Sequence, residues 1–280
     1  MMKTKGNSMK LKNILIAAVL AIAPFGAYAQ DKATPVTIAA GMPGGGYDKF
    51  AKTMAQRLTQ RGYDSVTVSN NNGSDAITLA ACNAKADIWI AQVDAIYTRY
   101  QEGCVLTPVA DYGTEYAVML VPPKSDIEEL GDLTSEDAIA VDGIGSGTEL
   151  FWKTIVSIEN SDEGSKDEWS KAKPVESSPE MLNTMANFGD VQAAILVRKL
   201  DSDQLDMLLN QGWRMVELWD KDINDREFNN LPLYESIEGT VNFTKGADEN
   251  WVYAVRSFVG VSKKHADNRP FKMDVAASIQ

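Results

Sequence analysis

Short apolar runs and helically spaced apolar positions succeed one another along the chain, separated by glycine-rich or polar stretches. Val36, Ile38, Ala39 and Ala40 make a strand-like run, and Gly41-Met42-Pro43-Gly44-Gly45-Gly46 interrupts it. Tyr47, Phe50, Met54 and Leu58 then recur at helical spacing. Ser65 to Val68 predicts a second strand, and Asn70-Asn71-Asn72-Gly73 a loop into a helix that carries Ile77, Leu79 and Ala80. Asp87 to Ala91 reads as a buried strand, followed by a helix over Ala95 to Tyr100 that Asp94 caps. Glu115 to Val121 predicts a long apolar strand closed by Pro122-Pro123, which suits a crossing between domains. After a helical turn at Asp126 to Leu133, Ala138 to Val141 predicts a strand that runs into Gly143-Ile144-Gly145-Ser146-Gly147-Thr148-Glu149. A helix bearing Leu150, Phe151, Trp152, Ile155 and Val156 follows. Asn160 to Ala172 is polar, with Trp169 its one large apolar residue. Beyond it the pattern predicts a helix at Pro179 to Phe188, a buried strand at Val191 to Val197 and a helix around Leu205 to Leu209. A strand at Met215 to Trp219, a polar loop at Asp220 to Asn230 and a strand pair within Trp251 to Val261 complete the reading. Such alternation defines an α/β class with mostly parallel sheets flanked by helices.

The two glycine-rich turns carry the candidate chemistry. Each would bring bare N–H groups and the positive end of a helix dipole to the carboxyl end of a strand, where a carboxylate or phosphate is received. Ser146 and Thr148 add hydroxyls beside the second helix start. If each turn tops its own parallel sheet, the two face each other across a cleft. Tight turns with no ligand role are the plain alternative.

The chain has 280 residues and a formal charge of −12. Its start reads as a secretory signal over 1–29: Lys3, Lys5, Lys10 and Lys12, then an apolar run from Ile14 to Ala23, then Ala27-Tyr28-Ala29 as a cleavage site. Cleavage would remove those lysines and leave a more acidic mature chain destined for the periplasm. Such a surface repels phosphate backbones and makes nucleic acid a poor partner. Cys82 and Cys104 are the only cysteines, and export favours their pairing across one helix-strand-helix unit, with two buried thiols as the alternative.

Some chemistries lack their parts. His265 is the sole histidine and sits in Lys263-Lys264-His265, which reads as an exposed basic stretch. Histidine-based nucleophilic catalysis would have to be built around that tail, and a histidine-rich metal site is excluded. The serine of Gly145-Ser146-Gly147 does not match a nucleophile elbow. No enzyme, cofactor or metal is expected, although abundant carboxylates leave a carboxylate-based hydrolase as a rival.

Taken together, Gly41-Met42-Pro43-Gly44-Gly45-Gly46-Tyr47, Asn71-Asn72-Gly73-Ser74-Asp75, Ala86-Asp87-Ile88-Trp89-Ile90-Ala91-Gln92-Val93-Asp94, Asp132-Leu133 and Gly145-Ser146-Gly147-Thr148-Glu149 resemble the periplasmic solute-binding subunits of TRAP transporters, TAXI branch. The likeness covers about Thr37 to Ile158. It implies a type II periplasmic binding protein with two hinge-linked lobes, 30–117 plus 225–280 and 118–224. It implies a monomer that captures a small organic anion or amino acid, such as glutamate, a dicarboxylate or a 2-oxoacid, for TRAP membrane permease subunits. Carried over by position, Gly45, Gly46, Tyr47, Ser74, Gln92 and Asp94 would contact the solute from one lobe, and Ser146, Gly147, Thr148 and Glu149 from the other. Glu149 or Asp94 would pair a ligand ammonium. The segment Gly189-Asp190-Val191 departs from the family pattern, and the sequence pattern predicts no terminal helix before Gln280. A sensor that docks on a receptor is the alternative within the same fold.

Overall fold

A computed structural model describes residues 32–161, 167–199, 202–237 and 251–279. The segment 1–29, expected from its sequence to be a signal, lies outside the described residues, among which no helix is long and apolar enough to cross a membrane. Strand β1 (Val36–Ala40), helix α1 (Gly46–Gln60), β2 (Val66–Asn70), α2 (Gly73–Cys82), β3 (Ile88–Gln92) and α3 (Val93–Gln101) alternate first. The 15-residue strand β4 (Thr107–Val121) leads into β5 (Ala138–Val141), α4 (Gly147–Ser161), β6 (Lys173–Glu176) and α5 (Leu182–Phe188). Then come β7 (Ala193–Arg198), α6 (Asp203–Asn210), β8 (Arg214–Val216) and the short α7 (Lys221–Asn224). The hairpin β9 (Glu227–Phe228) and β10 (Leu231–Pro232), β11 (Glu235–Ile237), β12 (Val252–Val261) and α8 (Arg269–Ala277) complete the order.

One hydrogen-bonded sheet runs β2-β1-β3-β12-β4-β7-β5-β6, with β11 beside β12 and β8 beside β4. Pairing is parallel at both ends, β1 with β2 and β3, and β5 with β6 and β7. In the middle, β4 and β12 are antiparallel to each other, and they are antiparallel to β7 and β3 respectively. The result is two α/β units joined through two long crossing strands. Apolar spacing explains the layers: α1 buries Ala51, Met54 and Leu58 against β1, with Phe271 and Val275 of α8 closing the same cluster. On the other side Phe151, Ile155 and Ile158 of α4 join Ala117, Met119 and Val121 of β4. Each Leu, Ile, Val, Met or Phe among these contributes about 1.5–3 kcal/mol by burial.

Cys82 and Cys104 are joined by a disulfide that closes a separation of 22 residues, tying the end of α2 to the loop after α3. A closure of that length is worth ~3 kcal/mol on chain entropy. Trp169 docks the polar excursion, lying buried and edge-on to Trp152 at 5.8 Å between ring centroids.

Four expectations are corrected. The Trp251 to Val261 segment is one strand rather than a pair, because β12 is paired on both sides and needs no turn. Strand β4 begins at Thr107, well before the apolar run, since its first half pairs with β12 while keeping polar side chains outward. A terminal helix, α8, follows β12. His265 is buried rather than exposed, with Nε2 bonded to Asp87 Oδ1 at 2.8 Å. Burial works against the Asp87 carboxylate, but bonds from His265, the Thr37 N–H and Lys264 outweigh it and hold that carboxyl at about 2.

Candidate functional site

Both glycine turns are built the same way. In Gly44-Gly45-Gly46-Tyr47-Asp48 the Gly44 N–H donates to Asp48 Oδ2 at 2.7 Å, and in Gly145-Ser146-Gly147-Thr148-Glu149 the Gly145 N–H donates to Glu149 Oε2 at 2.9 Å. An acid one turn into each helix thus folds back to fix the loop. The Lys52 ammonium, the Asn70 amide and the Gly44 N–H hold the Asp48 carboxyl at about 2. The helix starts at Gly46, Gly73 and Gly147 all reach one cavity of about 290 Å³. No side chain caps α1 or α2, although the Gly73 N–H at the start of α2 already donates to the Asn71 carbonyl at 3.1 Å.

Gly41, Met42, Gly45, Gly46, Tyr47, Gly73, Ser74, Gln92, Tyr112 and Glu115 line it from the first unit and the crossing strand; Asp142, Ser146, Gly147, Val197, Arg198 and Lys199 line it from the second. Six of these residues also border a wider outer cleft of about 660 Å³. Two cations therefore stand at the carboxyl end of β7, beside the second glycine turn. Arg198 is held in place: Nη2 donates to Asp142 Oδ2 at 2.7 Å, Nε to Gln204 Oε1 at 2.6 Å and Nη1 to the Val197 carbonyl at 2.8 Å. On the floor, Gln92 Nε2 donates to Glu115 Oε2 at 2.9 Å, and the Gln92 N–H donates to Ser74 Oγ at 3.2 Å. Burial pushes the Glu115 carboxyl up, with the Gln92 bond and the charges of Arg198 and Lys199 acting the other way. Tyr47 Oη lies 2.8 Å from Ser257 Oγ on β12, and burial pushes its phenol up, keeping it neutral.

The two units touch across this cleft. Asn72 Nδ2 donates to the Ile144 carbonyl at 3.0 Å, and Gly73 lies so close to Gly145 that a Cβ on either residue would overlap the other's turn. Only glycine permits that approach, and both residues also hold a positive φ, +79° and +83°.

Of the residues singled out by sequence, Gly45, Gly46, Tyr47, Ser74, Gln92, Ser146 and Gly147 line the cavity, whereas Asp94, Thr148 and Glu149 do not. Asp94 is buried in the first turn of α3, with Oδ1 accepting the Ala95 N–H at 2.9 Å and Oδ2 the Tyr234 hydroxyl at 3.2 Å. Thr148 Oγ1 donates to Asp142 at 3.0 Å and accepts the Val197 N–H at 3.0 Å, so it positions the Asp142–Arg198 pair. Glu149 is used by its own turn and by Lys153. Glu115, Asp142, Arg198 and Lys199 went unmarked by motif. Their one signal is position: Arg198-Lys199 closes a buried run at the carboxyl end of a strand, where open α/β sheets hold ligands.

No family model matches the chain, and no curated protein does. Solved structures do. The periplasmic aliphatic sulphonate binding protein SsuA from Escherichia coli superposes with a TM-score of 0.52 at 16% identity, covering 88% of this chain and 71% of that one. XAC2383 from Xanthomonas citri, bound to ATP, gives 0.54 at 9% identity over 88% and 82%. The periplasmic sulfonate-binding protein SsuA from Methylobacillus flagellatus KT gives 0.50 at 14% over 89% and 67%. At such identities the likeness speaks for fold, and the chain has the two-lobe α/β fold of the periplasmic binding proteins.

Proposed function

We propose that this chain is an exported, non-enzymatic solute-binding protein that captures a small carboxylate-bearing solute, an amino acid, dicarboxylate or 2-oxoacid, between its lobes and delivers it to a membrane transporter. One observation carries the reading: three glycine-led helix starts and the cations Arg198 and Lys199 converge on a single small cavity between two units joined by crossing strands. Solute-binding neighbours of the same fold support it, and the sequence resemblance favours a TRAP-type secondary transporter of the TAXI branch. Gly46 and Gly147 would offer backbone N–H groups, Tyr47, Ser74, Gln92 and Ser146 polar side chains, and Arg198 the charge-assisted bond, while the Gly45 and Ser146 N–H groups close their own turns on the Met42 and Gly143 carbonyls. Closure is a hinge motion in β4 and β12, stabilised by solute contacts to both lobes.

A thermal-shift screen of the mature protein against monocarboxylates, dicarboxylates, 2-oxoacids, amino acids, sulfonates and sugars tests this. A solute at 100 times its Kd should stabilise the fold by ~2.7 kcal/mol. Arg198→Gln should weaken a carboxylate hit about tenfold or more. A folded sample that responds only to sugars, or to nothing, would overturn the proposal.

A further inference from the structure

Glu115 projects into the cavity from the middle of β4, opposite Val255 of β12. Its bond from Gln92 is the single hydrogen bond to that carboxylate among the described residues, and no cation there forms an ion pair with it. Arg198 does not cross to it, being committed to Asp142 and Gln204. Beside it, Gln92 is 3% exposed and its amide oxygen has no donor. Two acceptors on one cavity floor are thus under-served, and leaving a buried acceptor unmet is costly, more so when it is charged. A hydroxyl brings one donor. A primary ammonium brings three and a compensating charge.

Resting on that reading of the cleft, we infer that Glu115, with the Gln92 amide oxygen, receives a primary ammonium of the solute and makes the cleft select zwitterions over plain anions. The helix starts at Gly46 and Gly147 attract the anionic end, while Glu115 attracts the cationic one. A dicarboxylate would instead bring a second negative charge towards Glu115 and lose on that account. A cavity of about 290 Å³ suits a solute of amino-acid size.

Titration calorimetry with matched pairs tests the inference: L-alanine and propionate, 4-aminobutyrate and butyrate, L-glutamate and glutarate, taurine and ethanesulfonate. The expected result is at least one pair in which the amino-bearing member binds about tenfold tighter or better, a preference that Glu115→Gln reduces to about threefold or less while leaving the desamino partner's affinity nearly unchanged. Should Glu115→Gln not fold, the wild-type ratio decides, with Glu115→Asp expected to keep a weaker preference. Binding that is equal within every pair, or favours the desamino member, overturns the inference and leaves the anion site standing. No binding by any probe to folded protein overturns both.

Discussion

Gly73→Ala is expected to weaken solute binding roughly a hundredfold while the protein still folds, a loss of ~2.7 kcal/mol. An added Cβ would overlap the Gly145 carbonyl oxygen and lie 2.7 Å from its carbon, and both atoms are backbone of the opposing turn. No rotamer relieves that overlap. The clash exists only when the lobes meet, so the open protein is spared it, and closure also forfeits the bond from Asn72 to Ile144. Alanine at a positive φ costs about 1 kcal/mol in open and closed states alike. Gly44→Ala supplies the control: its φ is +82° and a Cβ there meets nothing within 4 Å. Calorimetry on both variants should show Gly44→Ala binding within about threefold of wild type. Equal affinities for Gly73→Ala and wild type would remove this interlobe contact from the binding mechanism.

Asp94→Asn should raise stability at neutral and alkaline pH and flatten its pH dependence. Burial, only partly offset by the Ala95 N–H and the Tyr234 hydroxyl, pushes the Asp94 carboxyl up to about 7 from an ordinary 3.8. A raised acid binds its proton more tightly in the folded state, so its contribution is complete below about pH 4 and is lost as pH rises towards 7. The accumulated loss is ~4 kcal/mol. Asparagine keeps an oxygen for the Ala95 N–H and turns an amide to the Tyr234 oxygen, so the variant carries no ionisation penalty. Urea denaturation at pH 4.5, 6 and 7.5 should show the wild type losing stability relative to Asp94→Asn across that series. A variant less stable than wild type at pH 7.5 would mean that the ionised carboxylate is held favourably and would sink this account. Asp87 has the opposite sign: its contribution is present above 3.8 and is lost as pH falls towards 2.

Much of the fold was legible because local rules and tertiary structure agree in it. Strand-turn-helix units at Val36 and Ala138 follow directly from apolar periodicity and glycine, and the Cys82–Cys104 pair from their setting. What stayed hidden depends on strand neighbours. The first half of β4 is polar because it lies on a crossing ribbon, and only its pairing with β12 reveals it as strand. Arg198 and Lys199 read as a charged end to a buried run; placing β7 next to β4 puts them over the cleft. Asp94, Thr148 and Glu149 carry ligand-type chemistry in the right turns, but the backbone and their neighbours use it up. Spacing along a chain does not distinguish a side chain that points to a solute from one that braces the loop holding it.

The most direct measurement is a crystal structure of the mature protein with whichever carboxylate or sulfonate gives the largest thermal shift. The account predicts the solute in the cavity between the lobes, its anionic end within hydrogen-bond distance of the N–H groups at Gly46 or Gly147 and of Arg198 or Lys199. A solute bound elsewhere, with that cavity holding only water, would contradict it.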